Sequence, residues 1–231
     1  MIKSTGEIVK FSVLAVLVAV FMIASCHKDV NYVPANPPSN VLILGNSITF
    51  SPADPSLGWT GNWGMAASSA DKDYVHILTA NFKQQNAAAT VTAMNIAAFE
   101  RGYGSFNLDS AFSAVAKTKP DLLIIRIGEN VAVPLNATVF DAKYQALINY
   151  FKAANPNVKV LGAGSFWLLK DDVDAEMAKY SNFISLSYLL KADITTEAIG
   201  LYPNPAVQQH PSDKGMSEIA QAIWNKVLTI E

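Results

Sequence analysis

The chain has 231 residues, of which 51% are apolar and 16% are charged, and this composition excludes a disordered or low-complexity protein. Its 17 basic and 19 acidic residues nearly balance, so no broad positive surface for a nucleic-acid backbone is expected. The mean hydropathy of +0.21 is high for a soluble domain, and an apolar run near the N-terminus raises it. We expect one globular domain with no nucleic-acid partner.

The apolar run covers residues 11–23 (FSVLAVLVAVFMI) and follows Lys3 and Lys10. It is too short for a comfortable bilayer span, and small residues follow it before Cys26. Residues 23–26 (IASC) resemble the lipobox of bacterial lipoproteins, in which the signal is cleaved before a cysteine that is then acylated. The alternatives are an N-terminal anchor helix and a simple signal followed by a chance cysteine.

The lipobox divides the chain into three expected parts. Residues 1–25 would be a lipoprotein signal peptide, residues 26–39 a proline-containing tether from acylated Cys26, and residues 40–231 the domain. The protein is then expected on the extracytoplasmic side of a bacterial membrane, attached by lipid at Cys26. Because Cys26 is the only cysteine, a disulfide within the chain is excluded.

Beyond the tether, short β-rich apolar runs alternate with amphipathic segments, a pattern typical of a doubly wound parallel sheet covered by helices. The predicted strands are residues 40–44, 90–96, 122–127 and 158–163, with a fifth near 183–186.

Three helices are predicted between and after these strands. Apolar residues at helical spacing from Met216 to Leu228 indicate the last one, with Ser212 as its N-cap. Residues 137–153 and 72–85 form the other two. Ligands of such sheets bind beyond the carboxyl ends of the strands, so the residues that follow each strand are the candidates for a site.

Three short motifs occupy such positions. Residues 45–49 (GNSIT) follow the first strand, residues 128–130 (GEN) follow the third, and His210 with Pro211 precedes the last helix. Each motif alone is compatible with an ordinary turn or a surface histidine. Their order along the chain favours one shared site.

With these motifs in this order, residues 41–228 resemble the SGNH hydrolase family, also called GDSL-like lipases and esterases. The family's GDS block appears as GNS, with Asn46 in place of Asp, and its G-x-N block appears as residues 128–130. The D-x-x-H-P block keeps His210 but has Val207 at the acidic position. The second block's glycine corresponds to Gly102, about two places late.

The resemblance implies a flavodoxin-like, three-layer α/β/α sandwich with a five-stranded parallel sheet. It also implies a serine esterase that hydrolyses a small acyl ester, with O-acetyl groups on carbohydrate as a candidate substrate. No cofactor and no metal are expected. The alternative, suggested by Val207, is a catalytically weak SGNH-like domain that binds glycans or cell-surface polymers.

The resemblance assigns roles to individual residues. Ser47 would be the nucleophile and His210 the general base. The oxyanion hole would combine the Ser47 N–H, a backbone N–H from residues 100–102 with Gly102 as the candidate, and the side-chain amide of Asn130.

The group that orients His210 stays open, because valine at position 207 cannot accept a hydrogen bond. Either a backbone carbonyl near residues 205–208 or an acid from another loop would have to do so. Pro203 and Pro205 stiffen the chain just before the histidine, which favours the carbonyl.

Other residues near the expected crevice are weaker candidates. Trp59, Trp63 and Trp167 would stack on a sugar ring or fill the core. Glu100 would contact substrate or join a buried ion-pair network, and the same two alternatives hold for its charged neighbours, Arg101, Arg126 and Glu129. Asp171, Asp172 and Asp174 are interpreted as a solvated helix start rather than metal ligands.

Overall fold

The computed structural model describes residues 37–230, which form an α/β domain around one sheet of five parallel strands in the order β2-β1-β3-β4-β5. This is the flavodoxin-like order, and the predicted fold class is confirmed. The strands are β1 (Asn40–Gly45), β2 (Thr90–Asn95), β3 (Leu122–Arg126), β4 (Lys159–Ala163) and β5 (Asn182–Ile184).

Helices cover both faces of the sheet. They are α1 (Tyr74–Gln85), α2 (Ala97–Gly102), α3 (Leu108–Ala116), α4 (Ala137–Ala154), α5 (Asp171–Ala178), α6 (Ser187–Ala192), α7 (Pro205–Gln208) and α8 (Asp213–Val227). Alternate residues of β1 enter two separate cores. Val41 and Ile43 pack with α1, α6 and α8, whereas Leu42 and Leu44 pack with helices α2 to α5.

The three predicted helices are present, with small shifts at their ends. Ser212 caps α8 by accepting the Gly215 N–H, as expected. Helix α1 begins at Tyr74 because the Asp73 carboxylate accepts the His76 N–H and fixes the start there. Helices α2, α6 and α7 have six residues or fewer, too short to show an apolar period in the sequence.

The predicted signal peptide, Cys26 and residues 26–36 of the tether lie outside the described residues. Within residues 37–230, no helix combines the length and the apolar composition needed to cross a membrane. The same part of the chain contains no group of three His, Cys, Asp or Glu side chains that could hold a metal ion.

Candidate active site

Ser47 lies in a tight turn directly after β1. The carbonyl of Asn46 accepts the N–H groups of Thr49 and Phe50 at 2.9 and 3.0 Å, which closes the turn. A Cβ atom on Gly45 would lie 1.8 Å from Thr49 Oγ1, so the close turn requires glycine. The turn leaves Ser47 half-buried at the carboxyl edge of the sheet.

His210 reaches this serine from the segment between α7 and α8. Its Nε2 lies 2.8 Å from Ser47 Oγ, and its Nδ1 lies 2.9 Å from the carbonyl oxygen of Ala206. A carbonyl can only accept, so Nδ1 carries the proton and Nε2 is left to accept the hydroxyl hydrogen of Ser47. This is the arrangement of a nucleophile and its general base.

The Ala206 carbonyl is available because of how α7 ends. The His210 N–H donates to Val207 O at 3.0 Å, three residues back, and therefore leaves the Ala206 oxygen to the imidazole. The prediction of a backbone carbonyl near residues 205–208 is confirmed. Val207 itself is fully buried among apolar neighbours, which are Trp59, Met65, Ala66 and Ala198.

Burial also changes the acidity of this histidine. His210 is 7% exposed, and loss of solvent lowers its pKa from 6.5 to about 4, with the hydrogen bond to Ala206 acting in the opposite direction. The imidazole is therefore neutral at pH 7 and able to take a proton.

Asn130 occupies the other side of the crevice, after β3. Its Nδ2 donates to Glu100 Oε2 at 2.8 Å, and its Oδ1 accepts Arg101 Nη1 at 3.4 Å. A donor and an acceptor thus fix the orientation of the amide, and the second Nδ2 hydrogen stays free to donate. The same loop also requires glycine at position 128. Gly128 has φ +139°, and a Cβ atom at this position would lie 3.0 Å from Ser165 Cβ.

Beneath Asn130 lies a buried network of charged and amide groups. Glu100 Oε1 accepts the Gly128 N–H at 2.7 Å, and Glu129 forms an ion pair with fully buried Arg126. Asn46 Nδ2 bridges the two glutamates, at 3.2 Å from Glu100 Oε1 and 2.6 Å from Glu129 Oε2. The three loops after β1, β2 and β3 are thereby tied together.

The two glutamates have different acidities. Burial, together with the charge of Glu129, raises the pKa of Glu100. Burial is the largest single influence on Glu129 and acts to raise its pKa, but the charge of Arg126 and the hydrogen bonds from Phe166 N–H and Asn46 together outweigh it, so the pKa is lowered. An aspartate at position 46 would add a third carboxylate to this pair, which gives a physical reason for GNS in place of GDS.

The structure corrects the predicted substrate contact at Glu100. Its side chain is enclosed, with 0% exposed, and its oxygens are occupied by N–H donors from the β3 loop. The alternative of a buried network is the correct one for Glu100, Arg126 and Glu129, whereas Arg101 is exposed. Sequence separation hides this network, and charged residues at strand ends were its only signal.

The three tryptophans differ in exposure. Trp59 is 2% exposed and belongs to the apolar cluster around Val207, so it fills the core and the prediction of sugar stacking is wrong for it. Trp63 is partly buried and packs edge-on against Trp59 at 5.7 Å. Trp167 packs edge-on against His210 at 6.0 Å and donates to Gln209 O, which places it beside the candidate base.

Gly102 and Asp174 also differ from expectation. Gly102 is the last residue of α2, where a helical N–H points back along the helix instead of into the crevice. The first turn of α2 is nearer to Ser47 than Gly102 is, because Asn95, just before α2, pairs with Gly45 at the strand ends.

Asp174 is buried, which raises its pKa to about 6, and it accepts hydrogen bonds from Ser165 N and Ser185 Oγ. Only Asp171 and Asp172 form the solvated helix start.

No protein-family model matches the chain. No curated protein matches it either. Solved structures do. The chain is similar to the salicylyl-acyltransferase SsfX3 from a tetracycline biosynthetic pathway, with a TM-score of 0.55 and 13% identity over 84% of this chain and 55% of that one.

Two further structures are similar over a comparable share of the chain. A two-domain esterase (CEX) active on acetylated mannans gives a TM-score of 0.54 with 17% identity, over 82% of this chain and 50% of that one. A GDSL-like lipase structure from Parabacteroides merdae gives 0.53 with 17% identity, over 84% of this chain and 98% of that one. The fold is that of the SGNH hydrolases. The chain spans about half the length of the acyltransferase and the mannan esterase.

The motifs that carried the resemblance in the sequence meet at one edge of the sheet. Ser47 and His210 are in contact, and Asn130 is tied through Glu100 to the Asn46 that precedes the serine. These contacts, and not the fold, determine what chemistry the site can perform.

Proposed function

We propose that the protein is a serine esterase that hydrolyses a small acyl ester, with O-acetyl groups on carbohydrate as the favoured substrate. The observation that carries this proposal is the 2.8 Å contact between Ser47 Oγ and His210 Nε2, with Nδ1 held by the Ala206 carbonyl. The carboxyl edge of the sheet thus holds a nucleophile (Ser47), an oriented neutral base (His210) and an amide donor (Asn130), which are the groups that acyl transfer needs.

The reaction would follow from these positions. Ser47 Oγ attacks the ester carbonyl while His210 Nε2 takes its proton, and the resulting oxyanion is stabilised by the Ser47 N–H and Asn130 Nδ2. No described residue accepts the Ser47 N–H, so it is available for this purpose. His210 then protonates the leaving alcohol. Water attacks the acyl-serine by the same route and releases the carboxylic acid.

Support for a carbohydrate ester is indirect. The two-domain esterase of similar fold acts on acetylated mannans. In this chain, half-buried Trp167 lies against His210 and provides an aromatic surface beside the candidate base.

The second candidate function is a catalytically weak domain that binds glycans. It is motivated by the absence of a carboxylate on His210 Nδ1, whose partner is a neutral carbonyl. Covalent labelling with a fluorophosphonate probe separates the two candidates, since only an activated serine reacts.

Ser47→Ala is the matching variant. We expect it to abolish both labelling and the hydrolysis of short p-nitrophenyl esters and acetylated xylan, with folding unchanged. Ser217→Ala, on the exposed face of α8, is the control and should keep both. Hydrolysis by Ser47→Ala at the wild-type rate would reject the nucleophile assignment.

We also propose that the protein is an extracytoplasmic bacterial lipoprotein anchored through Cys26. The support is the sequence of residues 23–26 after an apolar run. Two or more acyl chains would give stable attachment where one would not. Cys26→Ala should leave the precursor uncleaved at this position and without lipid, as mass spectrometry of the membrane fraction would report. Unchanged processing and lipidation would contradict the proposal.

A further inference from the structure

Two positively charged side chains contact the loop that carries Asn130. Arg101 Nη1 donates to Asn130 Oδ1 at 3.4 Å, and Lys170 Nζ donates to the carbonyl of the next residue, Val131, at 2.6 Å. Arg101 follows β2 and Lys170 follows β4, whereas the loop itself follows β3. In the sheet order, β2 and β4 lie on opposite sides of the β1 and β3 pair, so the cations approach from two sides.

Neither cation forms an ion pair with another part of the described chain. The ion pairs of residues 37–230 involve Arg126, His76 and two other lysines. Arg101 is an exposed residue. Two positive charges therefore border the candidate oxyanion donor, and neither is in an ion pair with a residue of 37–230.

The acidic groups closest in sequence do not fill this role. Glu100 and Glu129 face inward, where N–H donors and Arg126 occupy their oxygens. Asp171 and Asp172 are exposed at the start of α5 and make no ion pair with Lys170. Both cations are therefore available to an anionic ligand at this edge of the sheet.

We infer that Arg101 and Lys170 form a subsite for a carboxylate on the substrate, close to the ester that Ser47 attacks. This inference rests on the proposed esterase function and narrows it to acidic esters, such as an O-acetylated uronic acid. The planar guanidinium binds a carboxylate through two parallel hydrogen bonds, and the ammonium adds a second positive charge. The carboxylate belongs to the alcohol or to the acyl group, and the test separates these.

The test compares kcat/KM for matched acidic and neutral esters, using the full-length protein. One pair is O-acetylated galacturonic acid and the same sugar with its carboxylate capped as an amide. The other pair is a p-nitrophenyl hemisuccinate and p-nitrophenyl butyrate, which place the charge on the acyl group. The ratio within a pair is measured in each variant, so any loss of catalysis common to both esters cancels.

We expect the wild-type protein to prefer the acidic member of one pair by about tenfold or more, the range of a charge-assisted hydrogen bond. Arg101→Gln should lower that ratio by about tenfold, and Arg101→Lys should restore part of it. Lys170→Gln should lower it by about twofold to fivefold, as for an exposed ion pair. Lys117→Gln removes an exposed lysine at the end of α3 and should leave the ratio unchanged.

Ionic strength provides an independent readout. The ratio should fall as salt is raised from about 0.01 to 1 M, because the Debye length shortens from about 30 to 3 Å. A ratio that is near one for both pairs in the wild-type protein, or that Arg101→Gln leaves unchanged, would overturn the subsite.

Failure of the esterase proposal has a different signature. If the wild-type protein hydrolyses none of the four esters, calorimetry with Ser47→Ala tests the subsite without chemistry. Acidic galacturonate oligosaccharide should then bind about tenfold more tightly than its amide-capped form, and this preference should be lost when Arg101→Gln is added. Equal binding of the two ligands would overturn the subsite as well.

Discussion

The two sides of the candidate crevice are supported in opposite ways. Behind Asn130, the support is charged and buried, and it consists of Glu100, Glu129 and Arg126 joined by hydrogen bonds. Behind His210, the support is apolar, because Val207 fills the core there and the imidazole is held by a neutral carbonyl. On the first side, charged groups fix the orientation of the Asn130 amide. On the second side, the His210 imidazole is oriented without any charged group.

This difference shows that orientation and charge stabilisation are separable. In a Ser-His-Asp triad, the acid both holds the histidine tautomer and stabilises the imidazolium that forms. The Ala206 carbonyl performs only the first of these tasks. The low pKa of His210 is the consequence, since burial is not offset by a carboxylate on Nδ1.

The largest effect on hydrolysis is expected from removing the imidazole of His210, which lies on the side of the crevice that has apolar support. His210→Ala takes away the base, and we expect hydrolysis to fall by on the order of 10⁴-fold or more, since nucleophile and base act as a unit. Steady-state kinetics on p-nitrophenyl acetate measures this. His76→Ala, on the exposed histidine paired with Asp73, should retain nearly full activity. Comparable losses of hydrolysis in His210→Ala and His76→Ala would contradict the assignment of His210 as the base.

The charged side should be most sensitive to one added charge. Asn46→Asp places a third carboxylate against Glu100 and Glu129, and we expect it to lower the free energy of unfolding by about 3 kcal/mol or more. Asn46→Ala, which removes only hydrogen bonds, should cost about 1–3 kcal/mol. Urea unfolding at pH 7 compares them. Asn46→Asp at wild-type stability would show that the glutamates do not act as a charged pair.

A smaller loss, confined to turnover, is expected for the amide that this network holds. Asn130→Ala should lower kcat by about 10² to 10³, the effect of removing one oxyanion donor, with KM little changed. Asn136→Ala removes the N-cap of α4 and should affect stability alone. If Asn130→Ala raised KM and left kcat intact, Asn130 would be a binding residue and not an oxyanion donor.

Much of this architecture follows from the sequence. The short apolar runs predicted the ends of each strand to within about two residues, because a parallel strand buried on both faces is a short, continuous run of apolar residues. The carbonyl partner of His210 followed from the prolines before it, which fix the local backbone. Local rules suffice where the partner lies a few residues away, as Ala206 does.

Long-range contacts could not be predicted in the same way. Asn46, Glu100 and Glu129 are far apart in the sequence and meet only because β1, β2 and β3 end at one edge. Whether Trp59 is buried or faces solvent likewise depends on the packing of Val207 and Ala198 against it. A loop position alone carries no information on burial, so both alternatives for this tryptophan were equally compatible with the sequence.

The smallest effect is expected for acids that would complete a conventional triad. Asp171→Ala, Asp172→Ala and Asp213→Ala should each change kcat/KM by less than about threefold, because none of these carboxylates is hydrogen-bonded to His210. The same p-nitrophenyl ester assay measures them, with circular dichroism to verify folding. A loss in just one of them as large as that of His210→Ala would identify a hidden acid and remove the contrast between the two sides.

The most direct test of the account is the ¹⁵N NMR spectrum of His210 as a function of pH, assigned by comparison with His210→Ala. We predict a proton on Nδ1 and none on Nε2 at neutral pH, with titration only near pH 4. Because an unfolded histidine titrates near 6.5, this group should also lower stability as pH falls from about 6.5 to 4. A protonated Nε2, or a midpoint at or above 6.5, would contradict a base that is buried and held by a neutral carbonyl.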